Sequence, residues 1–190
     1  MNNETQTRTG FSLIELLVAI TIIAVISTIG FTTFSQSQSR ARDATRKKDL
    51  RAISVALELF LQKNGRYPCS GTNWTTSSAA NWLTDSAAGA CGGSDSNLSP
   101  AFISSMPKDP TGINNGSPWA ANQRGYGYHS WDTVWNGCAK GTYYILITQL
   151  ENPNDPDRLG NKPGQVHPVC GANLGAASSY DLNSFIITMP

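Results

Sequence analysis

The sequence predicts an α+β chain: a long N-terminal transmembrane helix packed, through its second half, against a small antiparallel β-sheet. Three observations predict it. From Leu16 to Phe34 there is no charged residue and no proline. Beyond that run, Leu50, Ile53, Leu57, Phe60 and Leu61 recur at helical spacing as far as Asn64-Gly65. The C-terminal half then holds two segments rich in β-formers, Tyr126 to Ser130 and Thr142 to Leu150, and a third, Ser184 to Thr188, that reads as a further strand or a packed tail.

The apolar run is close to the ~20 residues a helix needs to cross a ~30 Å hydrocarbon layer. Helix is the form that satisfies its backbone there. No turn signal interrupts the chain from Phe34 to Lys63, so one helix from Phe11 to Lys63 would be about 80 Å long. Asn64-Gly65 supplies a stop, with Gly65 as the C-cap. Ser99-Pro100 reads as the start of a short helix over 101–106, stopped at Pro107, and Pro107-Lys-Asp-Pro110 reads as a turn. A second short helix is expected near Ser77 to Leu83, inside a long loop from Cys69 to Asn97.

Composition agrees with this division. Charged residues make up 14% of the 190, well under the usual quarter of a soluble domain. Apolar residues are concentrated near the N-terminus, while the rest is rich in Gly, Ser, Asn and Thr. The net charge of +1 projects no global field toward nucleic acid. His129 and His167 are the two histidines. Neither has a nucleophile pattern beside it, and there is no phosphate-cradling glycine loop, so nothing points to an enzyme.

Cys69, Cys91, Cys138 and Cys170 form no C-x-x-C pair, which argues against zinc. An even count in a loop-rich exported domain reads as two disulfides. Of three pairings, Cys69 with Cys91 and Cys138 with Cys170 is preferred, each contributing roughly 3–4 kcal/mol by the loop-closure argument. The alternative is four buried thiols.

The polar stretch Met1 to Gly10 carries Arg8 as its one basic residue, and Glu15 lies near the head of the apolar run. A carboxylate deep in a bilayer costs about 2.5–3.5 kcal/mol on insertion scales, and such residues are functional candidates. Position alone leaves open a glutamate that snorkels to the interface. The pattern Arg8-Thr-Gly10-Phe11-Ser-Leu-Ile-Glu15 followed by a long apolar run resembles the signal of bacterial type IV pilins and type II secretion pseudopilins. The resemblance implies that a prepilin peptidase cuts after Gly10 and that the new N-terminus, Phe11, is methylated. It also implies that Glu15 pairs with the N-terminal amine of a neighbouring subunit. The organisation is then a leader (1–10), a transmembrane and assembly helix (11–34), the amphipathic half of that helix (35–63) and an exterior domain (64–190). Many members carry a helix-kinking proline where this chain has Thr32.

Arg40, Arg42, Arg46, Lys47, Lys48 and Arg51 follow the span. The positive-inside rule taken alone puts that side in the cytoplasm; the cleavage pattern and the cysteines put it outside. The cluster is expected to be a solvated face making i,i+4 pairs or meeting neighbouring subunits, with anionic lipid and nucleic acid as lesser partners.

Asn64-Gly-Arg-Tyr-Pro68, then Phe102-Ile-Ser-Ser-Met-Pro-Lys-Asp-Pro110, then Tyr143 to Glu151 resemble the major pseudopilin of type II secretion. That family binds calcium after its sheet. Here Asp155 and Asp157, in Asn152-Pro-Asn-Asp-Pro-Asp157, are the oxygen-rich candidates. No other cofactor is implied. Trp119, Trp131 and Trp135 are expected in the core and against the disulfides, with an exposed adhesive patch as the alternative. Asn73-Trp-Thr75 matches a glycosylation sequon.

Two uses remain open: a pilus subunit for adhesion, motility or DNA uptake, and a pseudopilin that drives protein export; a membrane-anchored binding domain is the lesser alternative, since it would need neither Glu15 nor a cut after Gly10. Both imply a homopolymer, a prepilin peptidase, an inner-membrane assembly platform and minor pilins or pseudopilins as partners. Both place the chain in the cytoplasmic membrane first, with its C-terminal domain outside, and then in a filament.

Overall fold

The computed structural model describes residues 10–68, 70, 74–77, 83, 98–112, 118, 123–130, 139, 141–161 and 184–188, and omits the side chains of 29–33. One α-helix, α1, covers Leu13–Asn64. Among the described residues four strands follow: β1 (Thr75–Thr76), β2 (Tyr126–His129), β3 (Ile145–Gln149) and β4 (Ser184–Thr188). They form one antiparallel sheet in the order β1-β2-β3-β4. The chain divides into two compact units, Met1–Gln38 and Ser39–Pro190.

In the first unit every described side chain from Phe11 to Thr28 is exposed, Leu13 by 88% and Phe11 by 83%. The sequence reading makes residues 11–34 a membrane span. Among the described residues no helix is long and apolar enough to cross a membrane.

In the second unit α1 ends as expected. Gly65 adopts φ 71° and its N–H donates to the Leu61 carbonyl at 2.7 Å, a cap that favours glycine because a side chain is strained there. The helix turns Leu50, Ile53, Ala56, Leu57 and Phe60 into a core shared with Tyr67, Leu98, Tyr126, Tyr128, Tyr144, Leu146 and Phe185. Alternate residues of the strands take the other face. Ile145, Ile147 and Ile186 pack there with Leu159 and Trp74. All of β2 and β3 is buried, which fits the nearly continuous apolar run of β3, since a sheet covered on both faces needs no polar alternation.

Two local expectations need correction. Residues 101–106 form turns and bends rather than a helix. The N–H groups of Phe102 and Ile103 both return to the Leu98 carbonyl, so the turn closes on one acceptor and does not propagate before Pro107. Strand β1 was not anticipated; it lies in what reads as a loop and is two residues long. The expected helix at 77–83 falls mostly outside the described residues.

Gly127 sits where the sheet leaves no room. A Cβ there would lie 2.8 Å from Pro118 Cγ, 2.9 Å from Ile147 Cγ2 and 3.3 Å from Trp74 Cε3. Gly127→Ala is therefore expected to cost about 1–3 kcal/mol through overpacking. Thermal unfolding tests this, and an unchanged midpoint would refute the close fit.

Candidate functional site

The N-terminus of α1 is built from a short reciprocal device. Ser12 precedes the first helical residue, Leu13. Its hydroxyl accepts from the Ile14 N–H at 3.4 Å, and its own N–H donates to Glu15 Oε2 at 2.9 Å. This is a variant of the capping box: the third helical residue, Glu15, satisfies the cap's backbone donor, while the cap hydroxyl meets the donor of the second, Ile14. Ser-x-x-Glu before an apolar run is a sequence signal for it, and the sequence reading, occupied with Glu15 alone, passed over Ser12. The remaining site residues lie beside it. Gly10 and Phe11 are non-helical and exposed. A Cβ on Gly10 would meet nothing within 4 Å, so nothing described around it demands glycine. Phe11, Ile14, Glu15, Val18, Ala19 and Ile22 line one shallow apolar groove along the helix face.

A second charged constellation, in the unit Ser39–Pro190, has no counterpart in the sequence reading. The Arg46 side chain is fully buried. Its Nε and Nη2 donate to the two Asp109 oxygens at 2.7 and 3.1 Å, and its Nη1 reaches Asp43 at 2.9 Å and Glu151 at 2.7 Å. Arg42 donates to both Glu151 oxygens, the shortest contact being 2.5 Å. Asp43 also accepts from the N–H groups of Glu151 and Asn152, and Asp109 accepts from the Thr111 N–H and hydroxyl. The bidentate fork explains why arginine occupies position 46.

The electrostatics follow from these contacts. Burial alone would lower the Arg46 pKa; the hydrogen bonds and charges of Asp109 and Glu151 outweigh it and raise it. Burial would raise Asp109, but Arg46 and Thr111 hold its carboxyl below the ordinary 3.8. Hydrogen bonding from Arg42 holds Glu151 below 4.5, against burial and with help from Arg46. Burial raises Asp49 despite the bond it accepts from the Tyr126 hydroxyl at 2.6 Å.

This corrects the expected role of the basic cluster. Arg40, Lys48 and Arg51 are exposed, but Arg42, Arg46 and Lys47 turn toward acids far away in sequence, because burial of each cation demands a partner. Lys47 Nζ donates to Asp155 Oδ1 at 2.5 Å and Asp157 Oδ2 at 2.8 Å, and it lies 5.7 Å from the centre of the Phe185 ring. A calcium ion at this turn would compete with that ammonium for the same two carboxylates. Among the described residues no group of three or more His, Cys, Asp or Glu side chains is arranged to hold a metal ion. Cys69, Cys91, Cys138 and Cys170, with Trp119, Trp131 and Trp135, lie outside the described residues. Trp74 packs on the sheet, its ring 5.1 Å from that of His129.

Comparison with known proteins bears on the N-terminal device. The family model of the prokaryotic N-terminal methylation motif matches residues 6–31. The type IV major pilin protein PilA of Myxococcus xanthus (strain DK1622) is 33% identical over 58 residues, which is 30% of this chain and 26% of that protein. The chain thus spans about a quarter of the length of the curated relative it matches. No solved structure matches it. With Gly10, Phe11 and Glu15 inside the matched motif, the chain carries the prepilin-type methylation signal of the type IV pilin and pseudopilin family.

Proposed function

We propose that the chain is a structural subunit of a type IV pilus-like filament. A prepilin peptidase cuts it after Gly10 while it is held in the cytoplasmic membrane, and the amine of Phe11 is methylated. In the filament, Glu15 of one subunit neutralises the Phe11 amine of another. The observation that carries this reading is the methylation motif seated on an exposed apolar helix start with Glu15 as its acid. In an apolar filament core the amine and the carboxylate are each costly alone, so the pair sets the stagger between subunits. Sheared surface filaments provide the test. They are expected to contain protein beginning at methylated Phe11, as read by mass spectrometry, and protein still beginning at Met1 would refute the proposal.

A second reading, the major pseudopilin of a secretion machine, draws on one observation. The two segments that resemble that family, Phe102 to Pro110 and Tyr143 to Glu151, meet at Arg46 through Asp109 and Glu151. Loss of protein export without loss of surface filaments on deletion would favour it.

A further inference from the structure

We propose that Ser12 is a positioning residue for cleavage: its hydroxyl stops α1 short, so that the carbonyl of Gly10 stays free for attack. The inference rests on the reading that the chain is cut after Gly10. Hydrolysis there adds water to the Gly10 carbonyl carbon and breaks the bond to the Phe11 nitrogen. Gly10 keeps a carboxylate, and the nitrogen takes a proton and leaves as the amine.

The geometry around that bond is specific. In an α-helix each N–H donates to the carbonyl four residues back. Were α1 to extend toward the N-terminus, the Ile14 N–H would donate to Gly10, the carbonyl to be attacked, and the Glu15 N–H to Phe11. The structure diverts the first of these donors, since the Ile14 N–H meets Ser12 Oγ instead. Glu15 reinforces the stop by accepting the Ser12 N–H, and the first carbonyl to enter the helical ladder is that of Ser12, which accepts from Leu16 at 3.2 Å. Gly10, Phe11 and Ser12 are consequently non-helical. An enzyme that hydrolyses a peptide must place its own donors on the attacked oxygen, and a carbonyl bound inside a helix is withheld from them. Gly10 resists helix extension as well, being a poor helix former. Without Ser12 the next upstream residues able to cap are Gly10 and Thr9, and with either as the cap the Gly10 carbonyl enters the helical ladder.

The effect is on the fraction of chains whose scissile peptide is open, and that fraction enters as apparent affinity. The test uses the full chain in membranes with a prepilin peptidase and follows loss of the 1–10 leader by mass. Ser12→Ala is expected to raise the ratio of closed to open chains roughly five- to tenfold, the size of a lost cap, and so to lower kcat/KM by up to that factor, with the change in KM and kcat preserved. Ser12→Thr and Ser12→Asn, which still cap, are expected to stay within about twofold of the parent. A normal kcat/KM for Ser12→Ala would overturn the inference, as would equal slowing of all three variants, which would mean that the peptidase reads the serine itself. Failure of the parent chain to be cut after Gly10 would instead remove the functional reading.

Discussion

Arg46→Ala is expected to destabilise the unit Ser39–Pro190 by about 3–5 kcal/mol, the typical result of removing one partner from a buried ion pair. The deletion leaves Asp109 buried with only Thr111 to bond it, Glu151 with Arg42, and Asp43 with the N–H groups of Glu151 and Asn152 but no contacting cation among the described residues. For a chain of this size the loss corresponds to a fall of roughly 10 °C in the unfolding midpoint. Arg46→Lys keeps the charge but loses the two-pronged contact with Asp109, and should fall between parent and alanine. The sign with pH is fixed by the carboxylates. Asp109 and Glu151 ionise below their ordinary 3.8 and 4.5, so they contribute stability above those values, and it is lost as pH falls through their lower folded values. The gap between parent and Arg46→Ala should therefore be full at neutral pH and narrow in acid. Thermal unfolding of the detergent-solubilised chain across that range measures both quantities. A gap that stays constant down to pH 2–3, on the order of a unit below the ordinary values, would show that the network is not what Arg46 supplies.

Glu15→Ala is expected to abolish filaments while leaving the chain in the membrane fraction. Removing the only counter-charge of the neighbouring subunit's Phe11 amine costs about 3–5 kcal/mol at each interface, which lowers association by roughly a hundredfold to several thousandfold. Alanine also removes the acceptor of the Ser12 N–H, so the comparison needs Glu15→Gln. Glutamine serves the third position of a capping box but carries no charge. If charge pairing drives assembly, both variants fail to form filaments; if the cap alone matters, glutamine restores them. Filament yield after shearing, set against the amount of chain in the membrane, decides between these outcomes, and full yield from Glu15→Ala would end the assembly role.

The parts of the fold that follow local rules were legible in the chain. The helical spacing of Leu50, Ile53, Leu57 and Phe60 marked the buried face of α1, and Gly65 marked its end. Tyr126 and Ile145 each open a segment whose β-formers announced a strand, while at Ser184 a strand and a packed tail were both open and the structure forms the strand. Gly10, Phe11 and Glu15 stood out because their pattern is contiguous. Ser12 was equally legible, through its spacing to Glu15. Strand β1 was not, since Thr75 and Thr76 form a strand only because Tyr128 and Gly127 offer them an edge.

By itself the sequence determined where the helix stops, which face of its second half is buried, and the signal at its head, because these depend on neighbours within a few residues; the helix begins at Leu13 rather than at Phe11, since Ser12 caps it. The tertiary structure decided the fate of the charges. Arg46 is 63 residues from Asp109, and Lys47 is 108 from Asp155; no periodicity links such positions. What looked like a solvated basic face became a partly buried set of ion pairs, since a cation enclosed by the fold must meet an anion and only the closed chain supplies one.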